Sequence, residues 1–298
     1  MRSLYPTAFF LIGIFAPDTA ATGLVVRGTW GTQQIDESKV DLYTQQTMEH
    51  IRALSNSGSF KSMLTAVVKF VRARPSLNRE LVTSLFTLIK TAIIEKRKEL
   101  REWNLEFQPF GNPYTLIDLP RISIDMITEE VDEFCRMVLE LLEKYLLASE
   151  KDATLRCSYI ALKADYMRYM AEFSSLPRYK ESMAAKALGE YEIAEKCARS
   201  TAGLTDSSEI LLGILLNRSV LEYEVMGNKV AARETCMRAL ENVQKKPSGL
   251  SRLFVANSEP SEAAVCVLNS IKRNVELWNL GVSNQEVEDE WIICEVSK

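Results

Sequence analysis

Apolar positions recur at helical spacing along most of this 298-residue chain. In residues 36–54 they fall on one helical face, at Val40, Tyr43, Met48, Ile51 and Leu54. Similar patterns predict further helices over 60–72, 76–103, 123–148, 152–174, 179–202, 206–226, 228–245 and 259–280. Short polar breaks separate most of these segments, which favours antiparallel neighbours in a bundle. We therefore predict an all-α fold of about nine antiparallel helices.

Two proline-containing segments interrupt this pattern. Pro75 should kink the helix that begins near Phe60, or mark the first turn of the next helix. Residues 104–121 contain three prolines and one glycine, at Pro109, Gly111, Pro113 and Pro120. Because this composition excludes regular helix, we predict a surface loop over 104–121.

The two ends of the chain differ from its centre. Residues 7–16 form a ten-residue apolar run that is too short to span a bilayer. The run is consistent with either a signal-peptide core or a buried first helix. We predict an N-terminal segment over 1–35, a single all-helical domain over 36–280 and an acidic tail over 281–298.

Composition argues against most enzyme classes. The single histidine, His50, leaves little acid–base or metal chemistry, and the chain has no phosphate-binding glycine loop or nucleophile elbow. We therefore predict a protein without catalytic activity, cofactor or metal. A net charge of −4 gives no global attraction to nucleic acid or an anionic membrane. The six cysteines form no C-x-x-C pair, which favours buried, reduced thiols in a cytoplasmic protein.

The segment 165–172, DYMRYMAE, places the Arg168 guanidinium next to the Tyr169 phenol. An arginine fork matches the oxygens of a phosphate, and a tyrosine hydroxyl can add a donor. Asp165 lies one turn before Arg168 on the same helical face. It is predicted to orient basic residues by charge-assisted bonds, and ordinary pairing along the helix is the alternative.

Three segments, in the same order along the chain, resemble motifs of the 14-3-3 family. Residues 163–172 read KADYMRYMAE, residues 213–225 read GILLNRSVLEYEV and residues 271–278 read IKRNVELW. The resemblance is good over 135–280, loose over 60–90 and almost absent from the first fifty residues, so the segment 1–35 is divergent. It implies helices that cup a concave groove.

The function implied by this resemblance is a non-catalytic adaptor in signalling. Such a protein binds phosphoserine or phosphothreonine segments of phosphorylated client proteins and is usually a homodimer, with no nucleic-acid or membrane partner. The alternative is a phosphate-independent, tetratricopeptide-like helical scaffold, which paired helices of this size also suit.

The resemblance also implies roles for individual residues. Phosphate is expected to bind at Lys69, Arg79, Arg168 and Tyr169. Ligand backbone is expected at Asn217 and Asn274, flanked by Leu216, Val220, Glu224 and Trp278, and a buried structural asparagine is the alternative at Asn217. Helical spacing places Asn217, Val220 and Glu224 on one stripe. An indole N–H of Trp278 exposed at the rim of the groove would suit peptide capture, and core packing is the alternative for this residue.

One departure from the family falls in the segment ARPSLNR, residues 73–79. There Pro75 aligns with the second arginine of a family doublet that binds phosphate. Helical spacing places Lys69, Arg72 and Arg79 near one face, which is why Lys69 and Arg79 are the predicted substitutes. Two further departures are Ala161, where the family often has a groove lysine, and Ser270, where it has a groove leucine.

Overall fold

The computed structural model describes residues 42–74, 77, 79–106, 119–244 and 260–280. This part of the chain contains nine helices and no strand, which confirms the predicted all-α class. The helices are α1 (Leu42–Asn56), α2 (Phe60–Ala73), α3 (Arg79–Glu106), α4 (Leu119–Leu141, continued by a π-helical turn Leu142–Leu146 and by Leu147–Ser149), α5 (Ala153–Phe173), α6 (Pro177–Ser200), α7 (Glu209–Val220, continued by a π-helical turn Leu221–Val225), α8 (Lys229–Gln244) and α9 (Glu262–Asn279). The predicted segments 1–35 and 281–298, and the apolar run 7–16, lie outside the described residues.

The described helices divide into two compact units. The first unit contains residues 42–150 and Tyr169–Lys180, and the second contains Lys151–Arg168 and the described residues from Glu181 onward. Both α5 and α6 therefore contribute residues to each unit. Within the described residues, no helix is both long enough and apolar enough to cross a membrane.

In the first unit, α1 packs against α2 and α3, and α4 packs against α2 and α3. The buried face of α2 follows the spacing i, i+1, i+4, i+7, i+8 of an amphipathic helix, with Met63, Leu64, Val67, Phe70 and Val71 inside. Burial of this apolar stripe supplies most of the stabilisation of such a helix, since isolated helices of this length are marginal in water.

The interruption predicted at Pro75 is confirmed. Helix α2 ends at Ala73, and Arg74 adopts an extended backbone with φ −137° and ψ 91°. The ring of a following proline disfavours helical geometry at the preceding residue, which explains this conformation. Because α3 begins only at Arg79, the inference that Lys69, Arg72 and Arg79 share one helical face is wrong.

The predicted loop 104–121 was too long at both ends. Helix α3 continues to Glu106, and α4 already begins at Leu119. Pro120 is the second residue of α4, where a helix does not need the backbone N–H that proline lacks. Residues 107–118 lie outside the described part of the chain.

In the second unit, α7, α8 and α9 pack against one another. Residues 210–217 of α7 are all buried, so this helix has no polar face over two turns. The buried stripe of α6 differs in character, because it consists of Ala184, Ala187, Ala194 and Ala198 with Tyr191 at its centre. A stripe of alanines leaves room for the one large ring.

Candidate functional site

Four polar side chains of the second unit form a buried cluster, which we call the Asp165 cluster. Asp165 and Arg168 come from α5, Tyr191 from α6 and Asn217 from α7, and each residue exposes at most 2% of its surface. The Asp165 carboxylate accepts hydrogen bonds from the Tyr191 hydroxyl and from Asn217 Nδ2, the latter at 3.1 Å. Arg168 Nη2 lies 3.6 Å from Asp165 Oδ1, and Arg168 Nε donates to the Tyr191 oxygen at 3.2 Å.

Local helix geometry explains half of the Asp165 cluster. Asp165 and Arg168 are three residues apart, so their side chains meet on one face of α5. The other half comes from tertiary packing, because Tyr191 and Asn217 approach from two further helices. Asp165 thus does more than form the helix pair considered as an alternative, since it gathers donors from α5, α6 and α7.

The electrostatics of the Asp165 cluster follow from its burial. Desolvation raises the pKa of Tyr191 well above its usual value, and the Asp165 charge adds to this effect while the Arg168 charge opposes it. Tyr191 therefore remains a protonated donor at neutral pH. A buried charge is tolerated when it is paired and hydrogen-bonded, and the cluster holds one negative and one positive group in contact.

This geometry fixes the guanidinium of Arg168. Its Nε atom faces Tyr191 and its Nη2 atom faces Asp165, so the planar fork cannot rotate freely. A preoriented fork suits recognition of an oxyanion. Because Arg168 exposes only 1% of its surface, an external anion can reach it only when the surrounding structure opens.

Most of the other predicted ligand-binding residues are also buried. Tyr169, in the first unit, is almost fully buried, as are four residues of the second unit, Leu216, Val220, Asn274 and Trp278. The structure brings Asn217 together with Arg168 through Asp165, because the Asn217 amide donates to that carboxylate. Lys163, which matches a lysine of the family motif, forms an ion pair with Glu190 at 2.6 Å.

Trp278 differs from the prediction of an exposed N–H at a rim. Its indole is fully buried and stacks on the Tyr223 ring, with 4.3 Å between ring centroids and planes 6° apart. The Lys229 ammonium lies 5.4 Å from the centroid of the same Tyr223 ring. The exposure prediction for Trp278 is therefore wrong, because the packing of α7 on α9 covers the indole. Tyr223 itself belongs to the core.

The predicted stripe of Asn217, Val220 and Glu224 is also interrupted. The π-helical turn Leu221–Val225 places more residues in each turn than an α-helix does, which rotates the positions that follow. Asn217 and Val220 are buried, whereas Glu224 is half-buried. Spacing taken from an ideal α-helix therefore does not carry over to Glu224.

The basic residues near Pro75 lie in a different environment. Lys69 is exposed on α2, while Arg79 is the first residue of α3 and its side chain lies outside the described part. The Arg72 side chain donates from Nε to the Tyr145 hydroxyl and lies 5.2 Å from the centroid of that ring. Arg74 lies 5.8 Å from the Tyr43 ring centroid.

Comparison with known proteins decides the family. The family model described as "14-3-3 protein" matches residues 50–279, which is well over half of the chain. This chain belongs to the 14-3-3 family.

Individual relatives of this 14-3-3 protein are distant. A 14-3-3-like protein of Solanum tuberosum is 29% identical over 164 residues, which cover 55% of this chain and 60% of the relative. The 14-3-3-like protein GF14 psi of Arabidopsis thaliana is 30% identical over 172 residues, covering 58% of this chain and 63% of the relative. The checkpoint signal transducer rad24 of Schizosaccharomyces pombe is 29% identical over 152 residues, covering 51% and 53%. The chain thus spans less than two thirds of the length of these curated relatives.

Tyr191 is the residue of this 14-3-3 protein that sequence reasoning missed. It contacts both Arg168 and Asp165, yet none of the three resembling motifs contains it. The signal that could have found it is the spacing of α6, where Tyr191 is the one large residue in a stripe of four alanines. A large polar ring in such a stripe must point toward a neighbouring helix and needs a partner for its hydroxyl.

Proposed function

We propose that this 14-3-3 protein is a non-catalytic adaptor that binds phosphoserine or phosphothreonine segments of client proteins. The observation that carries the proposal is the position of Arg168. It lies in the motif that resembles the family's phosphate-binding helix, and Asp165 and Tyr191 fix the orientation of its guanidinium. Preorganisation of this kind lowers the entropic cost of binding, because the side chain is already ordered before the ligand arrives.

A phosphate monoester suits this guanidinium by charge and by shape. It carries nearly two negative charges and three acceptor oxygens. A hydrogen bond to a charged group contributes about 1.5–3 kcal/mol, which corresponds to roughly a tenfold to hundredfold change in affinity. Because Arg168 is buried, the proposal includes an opening of the structure around it when the ligand binds.

The remaining ligand contacts are proposed from the family resemblance. Asn217 and Asn274 would hold the ligand backbone, with Leu216, Val220, Glu224 and Trp278 beside them and Tyr169 next to Arg168. In its present position Asn217 donates to Asp165, so it would exchange that bond for one to the ligand. Lys69 and Arg79 stay predictions as further phosphate ligands. Homodimerisation and a cytoplasmic location are likewise proposed from the family.

One observation favours a second candidate, a phosphate-independent helical scaffold. Pro75 occupies the position of an arginine that binds phosphate in the family, and the helix is broken there, after Ala73. If neither neighbouring arginine substitutes for the missing one, phosphate preference would be weak. If one of these arginines does take over the role, we propose that Arg79→Ala brings the affinities for phosphorylated and unphosphorylated peptides closer together. Arg74→Ala should have a smaller effect.

The test is a titration with one fluorescent phosphopeptide and its unphosphorylated twin. We expect the natural chain to prefer the phosphopeptide, and Arg168→Ala to weaken phosphopeptide binding by roughly tenfold to a hundredfold. The matched control is Arg199→Ala, because Arg199 lies in the same unit and pairs with Glu195 and Asp206 at the surface. Circular dichroism checks that each variant is folded. Equal binding of the two peptides by the natural chain would favour the scaffold instead.

A further inference from the structure

Two thiols of the second unit lie unusually close together. Cys157 of α5 and Cys197 of α6 are both free cysteines, and their Sγ atoms are 2.6 Å apart. This separation exceeds the roughly 2.05 Å of a disulfide bond by only about 0.5 Å. The sequence predicted buried, reduced thiols. Cys197, which is half-buried, departs from that prediction, as does Cys266, which is held in a disulfide.

The two cysteine residues differ in their exposure to solvent. Cys157 is completely buried, two helical turns before Asp165 on α5, and its Sγ also lies 3.5 Å from Thr201 Oγ1. Cys197 is half-buried near the end of α6. Oxidation is therefore expected to begin at Cys197, the more exposed of the two residues.

We propose that Cys157 and Cys197 form a reversible disulfide when a hydroperoxide oxidises Cys197, which links α5 to α6 about two helical turns from Asp165. The site is thus a thiol pair for peroxide-dependent modification. This proposal does not depend on phosphopeptide binding.

The reaction proceeds in two steps that balance. The Cys197 thiolate attacks one peroxide oxygen, the O–O bond breaks, and Cys197 becomes a sulfenic acid while hydroxide or alkoxide leaves and takes up a proton. The Cys157 sulfur then attacks the Cys197 sulfur, the S–S bond forms, and the sulfenic oxygen leaves as water with the Cys157 proton. Two thiols lose two electrons and two protons in total, and one hydroperoxide is reduced to water and an alcohol, or to two waters.

The environment of Cys157 is consistent with oxidation of Cys197 first and attack by Cys157 second. Burial and the hydrogen bond with Cys197 raise the pKa of the Cys157 thiol to about 12. Cys157 is therefore a poor first nucleophile toward peroxide, because the thiolate is the reactive form. Its short distance to Cys197 makes it the resolving thiol instead.

The test treats the full chain with hydrogen peroxide, blocks remaining thiols, and maps peptides by mass spectrometry without reductant. We expect a linked pair of peptides containing Cys157 and Cys197, lighter by two hydrogen atoms than the separate peptides and released by dithiothreitol. Closing this loop should also raise the Tm by roughly 5 °C. Persistence of both free thiols after peroxide treatment, or a bond from Cys197 to another cysteine, would overturn the proposal.

Single variants separate the two roles. Cys157→Ala should leave Cys197 as a sulfenic acid that dimedone traps, whereas Cys197→Ala should leave Cys157 unmodified. Cys236→Ala is the matched control, because Cys236 is an equally buried free thiol of the second unit, and it should still form the linked pair. Dimedone labelling of Cys157 in the Cys197→Ala variant would contradict the proposed order. The mapping of the natural chain remains decisive if a variant does not fold.

Discussion

The Asp165 cluster and the region around Pro75 differ in how their arginine side chains are buried and paired. In the second unit, Arg168 is buried and held by Tyr191 of one neighbouring helix and by Asp165 of its own helix. In the first unit, the exposed Arg72 lies against the ring of Tyr145, and the half-buried Arg74 lies near the ring of Tyr43. A buried charge must be paired, so its position is fixed, whereas a cation–ring contact at an exposed site gains only about 0.5–1 kcal/mol. Pairing therefore holds the arginine in one orientation in the buried cluster and constrains the arginines near Pro75 less.

Removing the acid of the Asp165 cluster should have the largest effect on stability. Asp165→Asn keeps the side-chain shape but leaves the buried Arg168 charge uncompensated, which we expect to lower the free energy of unfolding by about 3–5 kcal/mol. Asp206→Asn is the control, because Asp206 pairs with Arg199 at 2.6 Å but is 46% exposed. It should cost about 1 kcal/mol or less. Urea unfolding measures both, and similar values for the two variants would show that the Asp165 cluster does not stabilise the fold.

Two hydrogen-bonded tyrosines, Tyr191 and Tyr179, give a smaller contrast. Tyr191→Phe removes a buried hydroxyl that donates to Asp165 and accepts from Arg168, and we expect a loss of about 1–3 kcal/mol. Tyr179→Phe removes a half-buried hydroxyl that donates to Asp132 in the first unit at 2.6 Å, and about 0.5–1.5 kcal/mol is expected. Denaturant midpoints compare them directly. A larger loss for Tyr179 would reverse the ranking of the two regions.

Alkaline pH should also weaken the Asp165 cluster. The pKa of Tyr191 is higher in the folded chain than in the unfolded chain. As the pH rises, the Tyr191 hydroxyl of the unfolded chain therefore loses its proton before that of the folded chain does. The contribution of Tyr191 is fully present below about pH 10 and decreases by about 1.4 kcal/mol per pH unit above it. Urea unfolding of the natural chain and of Tyr191→Phe between about pH 9 and pH 11 checks this. Identical slopes for the two proteins would contradict the prediction.

The smallest effect is expected at Arg72. Arg72→Ala removes an exposed cation from the Tyr145 ring together with the hydrogen bond to the hydroxyl, and the expected loss is about 1 kcal/mol or less. A thermal melt of this variant beside Asp165→Asn measures the difference between the two regions. A loss as large as that of Asp165→Asn would mean that surface position does not limit the contribution of an arginine.

The sequence predicted features that depend on local helix geometry and on proline. The contact of Asp165 with Arg168 follows from their three-residue spacing on α5, and the break at Pro75 follows from proline chemistry. The prediction that Lys69 and Arg79 lie near one helical face is wrong because this break places them on different helices. The predicted position of Glu224 is wrong because the helix contains a π-helical turn. Hydrophobic spacing does not reveal such a local departure from α-helical geometry. Tyr191 and the Cys157–Cys197 pair needed tertiary packing, since their partners lie on other helices.

We propose that Arg168, held by Asp165 and Tyr191, provides phosphate recognition. The most direct measurement is the ratio of affinities for a phosphopeptide and its unphosphorylated twin in the natural chain and in Arg168→Lys. Lysine keeps a positive charge beside Asp165, so the fold is retained, but it lacks the planar fork that grips two oxygens. We predict that this ratio falls by roughly tenfold in Arg168→Lys while binding of the unphosphorylated peptide is unchanged. An unaltered ratio in a folded variant would contradict the claim.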